Sequence, residues 1–127
     1  MARTKIHTGG CHCGRVRYEV TTELTSVVAC NCSICMKRGA LWASTGADQF
    51  VLQSGADELK DYQFNKRIIH DLFCRHCGVG AFGRGKGPDG RDSVAVNARC
   101  LDDVDLDALK VVPFKAKLCR FRDKNPR

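Results

Sequence analysis

Polar and apolar residues alternate along much of this chain, and nowhere do they hold a helical period for long. Arg15-Val16-Arg17-Tyr18-Glu19-Val20 sends charged and apolar side chains to opposite sides, the mark of a half-buried strand. Comparable short runs predict strands at residues 26–29, 41–44, 49–52, 67–73 and 93–98, and a weaker one at 81–83. Another passes through Leu59, Tyr62 and Phe64. Gly46 marks a turn between two of these runs, and Gly85-Lys86-Gly87-Pro88-Asp89-Gly90 is turn chemistry throughout. Residues 103–109 offer at most a turn of helix. Many short strands with glycine-rich punctuation predict an all-β domain, a sandwich or a barrel-like sheet assembly.

Length and composition add bounds. A chain of 127 residues suits one domain and can bury a core without needing metal on grounds of size. Its apolar stretches are too short to span a bilayer, and residues 1–7 lack the apolar centre of a secretory signal, so a cytoplasmic protein is expected. The formal charge of +7 is partly carried by Lys115, Lys117, Arg120, Arg122, Lys124 and Arg127, which read as a solvated tail. No recognition motif or aromatic interleaving accompanies them, which argues against nucleic acid as a partner.

Cysteine changes the picture most. Seven of the nine fall into three tight groups: Cys11-His12-Cys13, Cys30-Asn31-Cys32-Ser33-Ile34-Cys35 and Cys74-Arg75-His76-Cys77. Their odd total, with no export signal, argues against an extracellular disulfide framework, whereas their spacing suits metal. Cys74-x-x-Cys77-Gly78 has the form of a zinc knuckle, and Cys11-x-Cys13-Gly14 is a matching half-site at the other end of the chain. Together they would hold one structural zinc that clips distant segments together, where loop closure gains most. Cys119 reads as an inert buried cysteine, a reading also open to Cys100.

Cys30-x-Cys32-x-x-Cys35 is different, because one short loop offers three thiolates. Cys100, in Val96-Asn97-Ala98-Arg99-Cys100-Leu101-Asp102, could close this second site; the reading favoured here leaves the fourth position to water or substrate. Three thiolates on zinc make a formally anionic, weakly Lewis-acidic centre, better suited to holding an exogenous thiol than to activating water. A thiol so held is a thiolate at neutral pH and can add to a carbonyl. Lys37 and Arg38 stand ready for substrate carboxylates or are solvated charges. Trp42 could wall the pocket or fill the core. His12 and His76 are alternative ligands that more simply point away from metal, His70 is a strand residue, and Asp102 and Asp103 are acid–base candidates or a solvated turn.

In this order, Gly10-Cys11-His12-Cys13-Gly14-Arg15-Val16-Arg17-Tyr18, Cys30-Asn31-Cys32-Ser33-Ile34-Cys35, Phe73-Cys74-Arg75-His76-Cys77-Gly78 and the segment Val96 to Asp102 resemble the glutathione-dependent formaldehyde-activating enzyme family, which includes centromere protein V. The resemblance implies a single-domain β-tent of antiparallel sheets, shared with methionine sulfoxide reductase B, over residues 7–120, with a basic tail at 121–127. It implies that Cys11, Cys13, Cys74 and Cys77 hold a structural zinc and that Cys30, Cys32 and Cys35 hold a catalytic one. The implied activity is condensation of glutathione with formaldehyde, classed as a carbon–sulfur lyase by its reverse reaction. Partners would then be a small thiol and a small aldehyde, with no membrane. Two other classes compete: a non-enzymatic zinc module that binds a protein or nucleic acid, and a sulfoxide reductase. The last would need a redox cysteine outside both sites, for which only Cys100 and Cys119 remain.

Overall fold

The computed structural model describes residues 4–63, 69–87 and 89–114. Ten strands form two sheets. In chain order they are β1 (Lys5–Gly10), β2 (Arg17–Thr22), β3 (Ser26–Cys30), β4 (Trp42–Gly46), β5 (Phe50–Ser54), β6 (Leu59–Tyr62), β7 (His70–Cys74), β8 (Phe82–Lys86), β9 (Asp92–Asn97) and β10 (Lys110–Phe114). One helix, α1 (Ser33–Arg38), follows β3. The smaller sheet has the order β1-β2-β5 and the larger β10-β3-β4-β9-β8-β7-β6. All pairings are antiparallel except β10 with β3, so the all-β class holds with one parallel pair at an edge. No helix among the described residues is long and apolar enough to cross a membrane.

Alternation in the sequence becomes sidedness in the fold. Along β2, Tyr18 and Val20 are buried while Arg17 and Glu19 are not, as the pattern predicts. In the large sheet, Leu72, Phe82, Val96 and Ala43 align across β7, β8, β9 and β4, and this row faces the core. Tyr18, Phe50 and Phe82 meet at its centre with ring centroids 4.8–5.8 Å apart. The Tyr18 hydroxyl donates to the Ala81 carbonyl at 3.2 Å, which satisfies the polar tip of a ring that is otherwise buried.

Three elements depart from the sequence reading. β1, a strand that the sequence pattern does not predict, carries Gly9 and Gly10 for close approach: a Cβ on Gly10 would lie 2.0 Å from the Val16 carbonyl oxygen, and one on Gly9 2.6 Å from that of Cys100. β10 is an exposed edge strand whose apolar residues alternate with nothing polar, and Pro113 within it suits an edge. Ser33 to Cys35 is the start of α1 and not a loop, and Gly39 closes that helix at φ 68°. The turn expected at 85–90 begins later, because Gly85 and Lys86 pair with Ser93 and Asp92. Residues 103–109 contain a single 3₁₀ turn, Leu106–Ala108. Phe64, Arg67, Pro88, Cys119 and the basic tail lie outside the described residues.

Candidate functional site

Two turns build the first sulfur group. Cys11 and Cys13 lie in the turn between β1 and β2; Cys74 ends β7 and Cys77 sits in the turn that follows. Gly14 (φ 85°) and Gly78 (φ 79°) bend the backbone after each pair, in the left-handed region that a Cβ disfavours. The four sulfur atoms lie within 4.8 Å of one another. Cys13 Sγ is 3.6 Å from both Cys11 Sγ and Cys74 Sγ. A disulfide needs about 2.05 Å, whereas four thiolates about 2.3 Å from one zinc stand about 3.8 Å apart. The donor set and its spacing therefore fit a tetrahedral metal ion. Backbone amides already point at these sulfurs: Val16 N–H donates to Cys11 Sγ at 3.3 Å and His76 N–H to Cys74 Sγ at 3.4 Å. The amide and side chain of Arg15 bring the Cys13 thiol down to about 6.

The second group, Cys30, Cys32 and Cys35, also has its sulfurs within 4.8 Å of one another. Cys30 closes β3, Cys32 is the residue before α1, and Cys35 lies within the helix. Cys32 is drawn down to about 5, first by the Cys35 thiol and also by the amides of Ile34 and Cys35, although its sulfur completes no helix-cap hydrogen bond. Burial and the neighbouring thiolate push Cys30 and Cys35 upward. Trp42 Nε1–H donates to Cys35 Sγ at 3.2 Å. Half-buried on β4, Trp42 thus walls the sulfur group and supports it, and is not in the core.

The larger sheet's outer face carries this group. Val28 pairs with Trp42 across β3 and β4, which puts Cys30 and Trp42 on one side. Asn97, level with Trp42, accepts from Leu41 N–H at 3.3 Å and donates to the Gly80 carbonyl at 3.2 Å. Arg99 Nε donates to the carbonyl of Gly39 at 3.0 Å, tying the end of α1 to the segment after β9.

Cys100 belongs elsewhere. Burial, then the charges of Cys11 and Cys77, raise its thiol to about 11, so it stands beside the four-sulfur group and adds no ligand atom to either. His12 and His76 contribute none either; His76 pairs with Glu58. His70 Nδ1 meets Asp61 at 2.5 Å. Asp102 binds Arg17 and accepts from Thr8, a structural ion pair, and Asp103 is exposed. Lys37 and Arg38 form the last turn of α1, with the Arg38 guanidinium 5.6 Å from the Phe73 ring centroid.

Asp71 had no place in the sequence reading. It is the one buried charged residue among those described, 5% exposed, and its Oδ2 has no hydrogen-bond partner among them. A lone carboxylate inside the apolar run Ile68-Ile69-His70-Asp71-Leu72-Phe73 was the available signal.

Fold and site together define an all-β protein with two cysteine groups that could hold metal ions. Residues 6–116 match the family model for the glutathione-dependent formaldehyde-activating enzyme, and the chain belongs to that family. It is also similar to a crystal structure of a Rhodobacter sphaeroides protein, at 33% identity over 86% of this chain and 99% of that one, with a TM-score of 0.72.

Proposed function

We propose that this protein is a zinc-dependent enzyme of carbon–sulfur chemistry that condenses glutathione, or a similar small thiol, with formaldehyde or another small aldehyde. In the reverse direction it is a carbon–sulfur lyase. The family match supports the substrate pair. The observation that carries the catalytic reading is a group of three sulfurs with Cys100 placed at the other group, because three protein ligands leave a tetrahedral ion one position for substrate. Cys11, Cys13, Cys74 and Cys77 are assigned a structural zinc, and Cys30, Cys32 and Cys35 a catalytic one. The domain is assigned to residues 7–120, with 121–127 as its tail. Free thiols at every described cysteine suit a reducing compartment such as the cytoplasm.

Zinc at the second group would supply a Lewis acid that keeps an incoming thiol deprotonated. The chain's own residues do the rest. Trp42 withdraws charge from Cys35 through its N–H···S bond and fixes that ligand's direction. Lys37 and Arg38, at the end of α1, present positive charge to the carboxylates of glutathione. Holding thiol and aldehyde side by side removes the entropic cost of their encounter. Exchange NMR of glutathione and formaldehyde, with and without the zinc-loaded protein, tests the assignment. Faster interconversion is expected; an unchanged rate with two zinc ions per chain would refute it.

A further inference from the structure

We infer that Phe114, with Val112 beside it, determines which aldehyde the three-sulfur group takes: a carbonyl compound with an apolar alkyl or aryl substituent, held against these two side chains. This rests on the thiol–aldehyde reading above and names the aldehyde class that reading leaves open.

Strand register brings both residues to the site. β10 runs parallel to β3, with Phe114 level with Cys30 and Val112 level with Val28. Adjacent strands lie about 4.8 Å apart, so Phe114 is the immediate neighbour of Cys30. Val27 is buried in the core, which turns Val28 and Cys30, and with them Val112 and Phe114, to the outer face. Trp42 is level with Val28 on its other side, so Val112, Val28 and Trp42 form an apolar row one pleat back from Cys30 and Phe114. Phe114 is 55% exposed and Val112 37%, which leaves this surface open beside the sulfurs.

Hydrogen bonding tells against another strand as the occupant. Lys110 N–H donates to the Thr25 carbonyl, and Asn31 N–H donates to the Phe114 carbonyl, each at 3.1 Å. Backbone groups alternate sides along a strand, so Val111 and Pro113 face the open edge. Pro113 has no N–H to give there, and a strand added at this edge would lack a ladder bond. A small molecule needs no ladder. The two reactants then differ in what they offer the apolar surface. The carboxylates of glutathione suit Lys37 and Arg38, at the end of α1. Formaldehyde has no substituent to bury. A larger aldehyde leaves water by laying its substituent on Phe114 and Val112. That substituent takes no part in the bond changes. Sulfur forms the C–S bond, the C=O π pair moves onto oxygen, and oxygen gains the proton that sulfur gave up.

Comparing aldehydes separates this role from a structural one. Exchange NMR with glutathione and the zinc-loaded protein gives kcat/KM for acetaldehyde and for hexanal, which differ only in the length of the alkyl group. The wild type is expected to favour hexanal by about tenfold. Phe114→Ser is expected to lose most of that preference with two zinc ions retained, and Phe114→Leu, still apolar, to keep most of it. Equal kcat/KM for the two aldehydes in the wild type, or an undiminished preference in Phe114→Ser, would overturn the assignment. So would a wild type that sediments as a dimer where Phe114→Ser is a monomer, because a second copy would then own the surface. No acceleration with any aldehyde, formaldehyde included, would sink the thiol–aldehyde reading itself; acceleration with formaldehyde alone would sink only the role given to Phe114.

Discussion

At the residue scale, the second sulfur group depends on one indole. Cys35 is half-buried beside Cys32, whose thiol makes its deprotonation costly, and the Trp42 N–H is a group that offsets this. Removing such an outer partner from a metal ligand typically weakens the metal about 10- to 100-fold. Trp42→Phe keeps most of the ring's packing and loses only the donor. It is expected to lower metal affinity at Cys30, Cys32 and Cys35 by about tenfold, with the four-sulfur group unchanged. Chelator competition, resolved into its two metal classes, reads both affinities. Equal weakening at both would show that Trp42 acts through the fold and not through Cys35.

Elements explain what the sequence could and could not reveal. The alternation around Tyr18 and Val20 carries the inward side of β2 unambiguously, because a period-two pattern has only two faces to choose from. Sulfur spacing likewise marks Cys30, Cys32 and Cys35 and each half of the four-sulfur group, since thiols two or three residues apart converge locally, whereas the meeting of the two halves, 61 residues apart, is the work of the fold. β1 carries no alternation at its end because Gly9 and Gly10 have no side chains, which lets the backbones of Val16 and Cys100 come close. β10 shows no alternation because, exposed along its whole length at a sheet edge, it has no buried face to mark. Asp71 was missed because its burial comes from the strands that pack around β7, which its own segment does not announce.

Asp102 acts between elements too, joining β1 through Thr8 and β2 through Arg17. Arg17 and then Thr8 hold its carboxyl below the usual carboxylate range. A folded-state pKa below the unfolded one contributes stability above the unfolded value of about 3.9, and that contribution fades as pH falls through the folded value. With 36% and 38% of the two side chains exposed, solvent screening limits the gain to less than about 1 kcal/mol. Asp102→Asn is therefore expected to lower stability slightly and equally at pH 5 and pH 7, with the deficit closing below about pH 4. Urea melts across this range check the sign; a deficit that grew on acidification would contradict it.

For the whole molecule, the two sulfur groups do different mechanical work. The first joins the turn between β1 and β2, in the small sheet, to the end of β7, in the large one, across 61 residues of chain. The second joins β3 to the helix that immediately follows it, within one sheet's outer face. A clip over a long loop removes much unfolded-state freedom, and a clip over five residues removes little. Metal at the first group would thus contribute folding free energy, whereas metal at the second would decorate a scaffold already formed. Cys74→Ala is expected to cost several kcal/mol and to lower Tm by more than about 10 °C. Cys32→Ala should cost about 1 kcal/mol or less, a shift of about 5 °C at most. Each should lose about one zinc. Glutathione at about 100 times its Kd should then stabilise the wild type by about 2.7 kcal/mol and leave Cys32→Ala unmoved, because ligand stabilises only the state that binds it. Calorimetric melts with metal counts measure all of this together. Equal destabilisation by the two substitutions would mean that both groups are structural clips, and a thiol-dependent shift in Cys32→Ala would place the thiol elsewhere on the protein.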